Sequence, residues 1–143
     1  MSSLSSSTTS NVRMDRRFDW VGPPDTTSKI RKIMLRRLDN ESELEREYRT
    51  AREQLNQWNS DFWAQHNTLF ERQKAAFVER KQKDLGRLEH VSANDLSEFY
   101  RDFLNNRHVA MMAYNKEWYR RNLMLIWPAL KVNVVRFFRL ARK

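Results

Sequence analysis

Apolar residues recur at helical spacing through the middle of the chain. Six of them are separated by four, three, four, three and four positions: Leu44, Tyr48, Ala51, Leu55, Trp58 and Phe62. This spacing places side chains on one face of an α-helix. Because neither Pro nor Gly intervenes before Gly86, the pattern predicts one helix over about residues 41–84. Such a helix is longer than most helices of globular proteins.

The start of this helix carries capping signals. Asn40 is a favoured N-cap residue, and Glu43 completes a capping-box-like pair with it. Glu41, Glu45 and Glu47 add negative charge near the positive end of the helix dipole. We therefore interpret these acids as helix-capping and solvated groups, and the sequence offers no catalytic acid and base pair.

A second helical pattern follows a break. Residues 85–94 hold Gly86 and the capping candidates Ser92 and Asn94, which favours a helix end, a loop and a new helix start. Beyond the loop, apolar residues again lie at helical spacing: Leu96, Phe99, Tyr100, Phe103, Leu104, Met111, Tyr114 and Trp118. A short connection makes two helices antiparallel neighbours, so the pattern predicts a long antiparallel helical hairpin.

The C-terminal segment is basic and amphipathic. It reads LMLIWPALKVNVVRFFRLARK from Leu123 onward, and Pro128 permits a kink or a new helix start. Residues 111–143 hold eight Lys or Arg and one acid, so this segment carries +7 of the chain's net charge of +9. An amphipathic basic helix of this kind favours docking on an anionic membrane surface. The alternative is that its apolar face completes a three-helix core.

Eight residues of this segment are candidates for contact with a membrane surface, because they supply its bases and its large apolar side chains: Trp127, Lys131, Arg136, Phe137, Phe138, Arg139, Arg142 and Lys143.

Two different segments precede the first helix. Residues 1–17 are rich in Ser, Thr and Arg, which is typical of a disordered polar tail or a short mitochondrial targeting segment. Residues 18–39 begin FDWVGPPD, where Gly22, Pro23 and Pro24 predict a Pro-rich strap or rigid turn. The stretch KIRKIMLRRL that follows fits an extended arm, a helical turn or a surface-seeking segment.

These patterns together predict an all-α fold. Residues 18–143 form a single helical domain, with a strap at 18–39, a helix at about 41–84, a loop at 85–94 and helices over about 95–140, the last being the basic amphipathic one. The 143 residues suit one domain. Because 31% of them are charged, the core is expected to be thin.

Several classes of chemistry are excluded by missing residues. The chain has no cysteine, so disulfides and thiolate metal sites cannot form. Two glycines cannot build a phosphate-cradling loop of the Walker or Rossmann type. The longest apolar run, residues 123–130, is far shorter than the roughly 20 residues needed to span a bilayer. We expect a protein that is not an enzyme.

Two further binding activities stay open. His108 and Met112 lie four residues apart, a spacing that could place two ligands to a haem iron or a copper ion on one helical face, and haem is the cofactor that the sequence leaves possible. KEWYRR and RFFRLARK interleave bases with aromatic residues, as a nucleic-acid-binding surface would require. Helical spacing explains the same aromatic residues by burial, so nucleic-acid binding is the less favoured alternative.

Several motifs, in order, resemble one known family. They are DWVGPPD at 19–25, Asn40-Glu41-Ser42 followed by Leu44-Glu45, QWNSDFWAQHNTLF at 57–70, EFYRDFL at 98–104 and YNKEWYRRN at 114–122. Together they are similar to the cytochrome c oxidase assembly factor 8 family, also called apoptogenic protein 1, mitochondrial. The resemblance runs from about Asp19 to the C-terminus.

The resemblance implies a peripheral protein on the matrix side of the mitochondrial inner membrane. It would support biogenesis or protection of respiratory complex IV, notably under oxidative stress, and the family name adds an association with apoptosis. The implied partners are cytochrome c oxidase subunits or assembly intermediates and an anionic inner-membrane lipid surface.

The motif positions are candidates for partner binding: Asp19, Trp20, Gly22, Pro23, Pro24, Trp58, Asn59, Phe62, Trp63, Tyr114, Asn115, Trp118, Tyr119, Arg121 and Asn122. The alternative is that these residues pack the strap and the hairpin against each other, since aromatic residues usually build the core.

Overall fold

Three helices and a small β-ribbon make up the protein. The computed structural model describes residues 15–86 and 88–142, so most of the predicted tail at 1–17, and Lys143, lie outside it. In chain order the elements are β1 (Trp20–Pro24), β2 (Arg31–Met34), α1 (Glu43–Leu85), α2 (Ala93–Met124) and α3 (Ile126–Ala141). The mainly helical prediction is confirmed. All-α is wrong, because residues 20–34 pair as two antiparallel strands.

The caps of α1 and α2 follow one design. Ser42, and not Asn40, caps α1: its Oγ accepts the N–H of Glu45 at 3.3 Å, and the Glu45 carboxylate accepts the N–H of Ser42 in return. Ser92 and Asp95 repeat this capping box at the start of α2. α1 ends at Gly86, whose φ of 83° suits a residue without a side chain.

α1 and α2 run in opposite directions along one line of aromatic contacts, the aromatic seam. Ring centroids lie 4.0 Å apart for Phe62–Tyr114, 5.1 Å for Phe70–Phe103 and 5.2 Å for Phe77–Phe99. Residue numbers rise along α1 as they fall along α2, which is the antiparallel arrangement. With 43 residues, α1 is about 64 Å long. The seam is therefore long and thin.

α3 continues past the end of α2 and lies against the first part of α1. The two helices separate at Leu125, whose N–H donates to the carbonyl oxygen of Asn122 at 3.2 Å. Pro128 has no N–H to donate to the carbonyl of Met124, so a continuous helix would lack a hydrogen bond here. Val132 of α3 is completely buried. The change of direction brings α3 back onto α1.

The β-ribbon contains a bulge. Trp20 pairs with Met34 and Val21 with Ile33, but Pro24 pairs with Arg31, so β1 carries one extra residue between these pairs. A bulge bends a strand and leaves one residue outside the ladder. It therefore accommodates the two consecutive prolines, neither of which can donate to the partner strand.

Polar side chains of α1 hold the ribbon. Asn56 accepts the N–H of Ile33 at 3.1 Å and donates to the carbonyl of Arg31 at 2.9 Å, so it continues the ladder on the free edge of β2. Glu53 accepts the N–H of Leu35 at 3.0 Å. An edge strand exposes unpaired backbone groups, and these side chains satisfy them.

The same stripe extends to the turn between the strands. Ser60 shares a hydrogen bond of 2.9 Å with the buried Ser28, and the Asn67 amide donates to the carbonyl of Thr27 at 2.9 Å. Positions 53, 56, 60 and 67 recur at helical spacing on one side of α1. α1 thus offers a polar side to the ribbon and an aromatic side to α2.

Gly22 is required by the neighbouring indole. A Cβ at this position would lie 2.5 Å from the Trp20 ring, closer than any real contact. The Trp20 ring covers the buried Gly22, and the Gly22 carbonyl accepts a bond of 3.1 Å from Arg31. The ring and the backbone must therefore move apart if a side chain is added.

Gly22→Ala is expected to lower the free energy of unfolding by about 1–3 kcal/mol, the usual cost of overpacking. Val21→Ala is the matched control, because Val21 is exposed and should change stability by about 0.5 kcal/mol or less. Urea unfolding followed by circular dichroism and tryptophan fluorescence measures both. Equal stability of the two variants would contradict the close approach of Trp20 and Gly22.

Candidate functional site

Tyr114 packs against three rings of α1 in the part of the aromatic seam nearer to α3. Its ring stacks on Phe62 at 4.0 Å and on Trp58 at 5.3 Å, from centroid to centroid. Its hydroxyl accepts the indole N–H of Trp63 at 3.1 Å and donates to the side-chain oxygen of Asn59. Tyr114 is buried, so both hydrogen bonds satisfy a polar group that water does not reach freely.

Arg121 closes the seam at its α3 end. Its guanidinium lies 4.6 Å from the centre of the Trp58 ring, and its Nε donates to Glu117 at 2.9 Å. Glu117 also accepts two bonds from Arg120. These hydrogen bonds, first from Arg120 and then from Arg121, lower the pKa of Glu117 to about 2.

The structure brings together six of the predicted partner-binding residues, in contact with one another between α1 and α2: Trp58, Asn59, Phe62, Trp63, Tyr114 and Arg121. Their contacts to one another hold α1 against α2. A partner would reach only the half-exposed edges of these side chains.

The other predicted residues of α2 are more accessible. Asn115 is exposed, and the Trp118 ring meets the exposed Tyr119 ring edge to face at 5.2 Å. Asn122 donates back to the carbonyl of Trp118 at 2.7 Å, which supports the last turn of α2. Asn115, Trp118 and Tyr119 are thus the members of the set that α2 presents to solvent.

In the ribbon, Asp19 accepts the N–H of Arg36 at 2.6 Å, next to the Trp20–Met34 pair. Pro23 and Pro24 are exposed, whereas Gly22 is buried under Trp20. The DWVGPPD motif therefore has a structural explanation at Asp19, Trp20 and Gly22, and its two prolines stay available to a partner.

The histidines do not assemble a metal site. Among the described residues, no group of three or more His, Cys, Asp or Glu is placed to hold a metal ion. His108 and Met112 are both exposed on α2. His66 is buried between Phe62 and Phe103, and burial, together with the nearby Arg107, lowers its pKa. His66 therefore behaves as a neutral member of the aromatic seam.

Glu45 determines which side of α3 faces the body of the protein. Its side chain is 1% exposed, and it pairs with Arg139, one bond measuring 3.2 Å, and with Arg136 at 3.6 Å. Val132, Arg136 and Arg139 recur at helical spacing, so they share the inner side of α3. These two arginines were predicted to face a membrane, but the structure engages them with α1.

Opposing effects act on the Glu45 carboxyl. Burial alone would raise its pKa, but hydrogen bonds from Arg139 and from Ser42 outweigh burial and hold the pKa below the ordinary value. The carboxylate therefore stays charged at neutral pH. Sequence reasoning assigned Glu45 to capping alone; its second role depends on a residue 94 positions away.

The opposite side of α3 is apolar and open to solvent. We call it the outer face, and each of its members is more than half exposed: Trp127, Leu130, Val134, Phe137 and Phe138. Lys131 flanks it with its ammonium 5.3 Å from the Trp127 ring centre, and the exposed Arg142 lies near its end. The apolar face of α3 does not complete a three-helix core, so that alternative is wrong.

None of the described helices is both long enough and apolar enough to cross a bilayer.

Comparison with known proteins agrees with the motifs. The family model for cytochrome c oxidase assembly factor 8 matches residues 18–138. The chain belongs to this family. The match covers the ribbon, α1, α2 and nearly all of α3, so the whole arrangement described above is the family's domain. The resemblance seen in the sequence is confirmed.

Relatives from distant animals share this domain. The chain is 85% identical over 143 residues to mitochondrial COA8 family proteins of Caenorhabditis briggsae and Caenorhabditis elegans, covering all of both chains. It is 32% identical over 128 residues to the human cytochrome c oxidase assembly factor 8, covering 84% of this chain and 62% of the human one. No solved structure matches the chain.

Tyr114→Phe removes the hydroxyl that links Trp63 and Asn59 but keeps the ring. We expect a loss of about 0.5–2 kcal/mol in the free energy of unfolding, because the half-buried Trp63 N–H and Asn59 lose a partner. Tyr119→Phe is the matched control, since Tyr119 is 62% exposed and should be neutral. Urea unfolding measures both, and a neutral Tyr114→Phe would show that the linkage contributes nothing.

Glu45→Gln is expected to destabilise the protein by about 1–3 kcal/mol at neutral pH, less than for a fully buried pair because both arginines are partly exposed. Because the pKa of Glu45 is lower in the folded protein than its unfolded value of 4.5, the ionised carboxylate stabilises the fold at pH values above 4.5. This stabilisation is lost as the pH falls through the pKa of the folded state. The stability difference between wild type and Glu45→Gln should therefore shrink below about pH 4.5.

Urea unfolding at several pH values between 3 and 7 measures this difference. Glu47→Gln, at an exposed position of α1, is the control and should follow wild type at every pH. If the difference in the free energy of unfolding between wild type and Glu45→Gln stays constant with pH, the ion pair of Glu45 with the α3 arginines would be contradicted.

Proposed function

We propose that the protein supports the assembly or protection of cytochrome c oxidase, notably under oxidative stress, while bound peripherally to the matrix side of the mitochondrial inner membrane. Membership of the assembly factor 8 family supports the link to the oxidase. The names of its nematode relatives support a mitochondrial location. The observation that carries the mode of action is the outer face of α3.

The outer face fits a lipid surface better than water. A helix with aromatic residues on one side and bases at its margin lies in the interface, with its apolar side among the upper acyl chains. Trp127 suits the headgroup region, where an indole finds both apolar and polar neighbours. Lys131 and Arg142 would meet anionic lipid phosphates, each contributing about 1 kcal/mol near such a surface.

Glu45 connects this attachment to the rest of the protein. Because Arg136 and Arg139 bind it on the inner side, α3 can insert its outer face without leaving α1. The hairpin then stays fixed to the docked helix. Its solvent-facing residues, including Tyr119 and Asn115 on α2, are the surface we assign to an oxidase subunit or an assembly intermediate.

The first test measures membrane attachment by flotation of the purified protein with vesicles. The triple variant Trp127→Ser, Phe137→Ser, Phe138→Ser should lose at least about tenfold in binding to phosphatidylcholine vesicles containing cardiolipin, because it removes most of the inserted aromatic surface. The triple variant Leu104→Ser, Val109→Ser, Met112→Ser changes three exposed residues of α2 and should bind as wild type does.

Equal flotation of the α3 variant and wild type would contradict lipid docking. Sedimentation measurements should find wild type monomeric at the concentrations used. Self-association that is lost in the α3 variant would instead assign the outer face to a second copy.

The second test measures the oxidase in cells that lack the protein. Native gels should show a selective loss of complex IV, deepened by peroxide, which wild type restores and the α3 triple variant does not. Normal complex IV under peroxide would contradict the proposal. A variant that fails to float but fully restores complex IV would separate the oxidase role from membrane attachment.

A further inference from the structure

A second feature lies away from the outer face: a polar cavity lined by the segments that flank the ribbon, by the start of α1 and by α3. Its volume is about 330 Å³. Four separate parts of the chain supply arginines to its lining, namely the segment before β1, the segment after β2, the first half of α1, and α3: Arg17, Arg36, Arg49, Arg52 and Arg136. So many guanidinium groups around one cavity repel one another unless anions are present.

The carboxylates of the lining are already engaged. Glu41 binds Arg49 through two bonds of 3.0 Å. Glu45 is bound by Arg139 and Arg136, and one oxygen of Asp19 accepts the backbone N–H of Arg36. The three acids and five arginines that line the cavity leave a net charge of +2. The three acidic side chains of the lining therefore do not neutralise the positive charge of the cavity.

Two of the arginines have no acidic partner. Within residues 15–86 and 88–142, neither Arg36 nor Arg52 makes an ion pair. Arg52 lies 5.7 Å from the centre of the Tyr48 ring, which also lines the cavity. Stacking on an aromatic ring orients a guanidinium while leaving its N–H groups free.

We propose that this cavity binds a phosphate dianion, with Arg36 and Arg52 as its principal ligands and Arg17 and Arg136 as supporting charges. A planar guanidinium donates two parallel bonds to a phosphate, which a point charge cannot do. The volume lies at the lower end of ligand sites and suits a phosphate group with a small part of its carrier. The carrier is either a lipid headgroup or a soluble phosphate compound.

Binding here joins the segments that flank the ribbon to α1 and α3, because its ligands lie in all of these parts. The site therefore has a role that the outer face does not supply: it senses a phosphate group and tightens the packing of the N-terminal half. It does not depend on the proposed function.

The test titrates the full chain with pyrophosphate by calorimetry, and separately with phosphatidylcholine vesicles containing phosphatidic acid. The variant Arg36→Gln, Arg52→Gln should weaken pyrophosphate binding at least about tenfold. The control Arg72→Gln, Arg80→Gln makes the same charge change at exposed positions of α1 and should stay within about twofold of wild type. Arg36→Lys, Arg52→Lys keeps the charge and should bind weakly, since it lacks the paired donors.

Circular dichroism and the melting temperature check that each variant is folded. Binding of pyrophosphate by wild type identifies a soluble carrier, and binding of phosphatidic acid vesicles alone, lost in Arg36→Gln, Arg52→Gln, identifies a lipid. The proposal is overturned if wild type binds neither probe, or if the Arg72/Arg80 control loses as much as the Arg36/Arg52 variant. The α3 serine variant should retain pyrophosphate binding, which separates this result from that of the flotation test.

Discussion

The arrangement of this protein depends on one buried carboxylate. Glu45 lies in the first turn of α1, where Ser42 anchors it, and it binds two arginines of α3. A buried charge is costly unless it is paired and hydrogen-bonded, so α3 is held with its arginines inward. Helix geometry then leaves the apolar side of α3 facing solvent. The amphipathic helix α3 thus exposes to solvent the apolar side that a soluble protein would ordinarily bury.

α1 organises everything else by presenting different sides to different partners. Its polar side binds the backbone of β2 through Glu53 and Asn56, and its aromatic side packs on α2 around Tyr114. A single long helix can do this because an α-helix has 3.6 residues per turn, so residues three or four positions apart form stripes along its whole length. The thin core expected of a chain with 31% charged residues is the result, since burial is confined to these stripes.

The sequence predicted the elements that depend on local pattern. Helical spacing located α1 and α2 nearly to their ends, and Gly86 and Ser92 marked the break between them. The β-ribbon was missed because Pro23 and Pro24 argue against a strand, while the bulge that tolerates them is defined only by pairing with Arg31. The N-cap of α1 was predicted at Asn40 but lies at Ser42, because Asn and Ser are both favoured N-cap residues.

The candidate site was less predictable for a different reason. The sequence sorts the residues of α3 into apolar and basic sides, but it does not say which side meets the body of the protein. That choice rests on the pairing of Arg139 with Glu45 across 94 positions. The motif residues around Trp58 and Tyr114 are candidates for partner binding in the sequence, and the structure uses them for internal packing. Asn56 and Asn67 give a detectable signal, because they are polar residues at helical spacing. The sequence alone does not show that this polar side binds the β-ribbon, since the ribbon itself was not predicted.

The attachments of α1 are unevenly distributed along its length. The ribbon and α3 contact its first half, and the hydrogen bond of Asn67 is the last one to the ribbon side. Beyond Phe70 the helix contacts α2 through a few rings such as Phe77 and Phe99 and through an ion pair of 3.8 Å between Lys81 and Asp95. Amide exchange should therefore be slowest near the Tyr114 level and should quicken toward Gly86, because opening the hairpin tip breaks few contacts. If the protein docks on a membrane through α3, its membrane-proximal half would then be rigid, and the hairpin end near Gly86 could change conformation on contact with a partner.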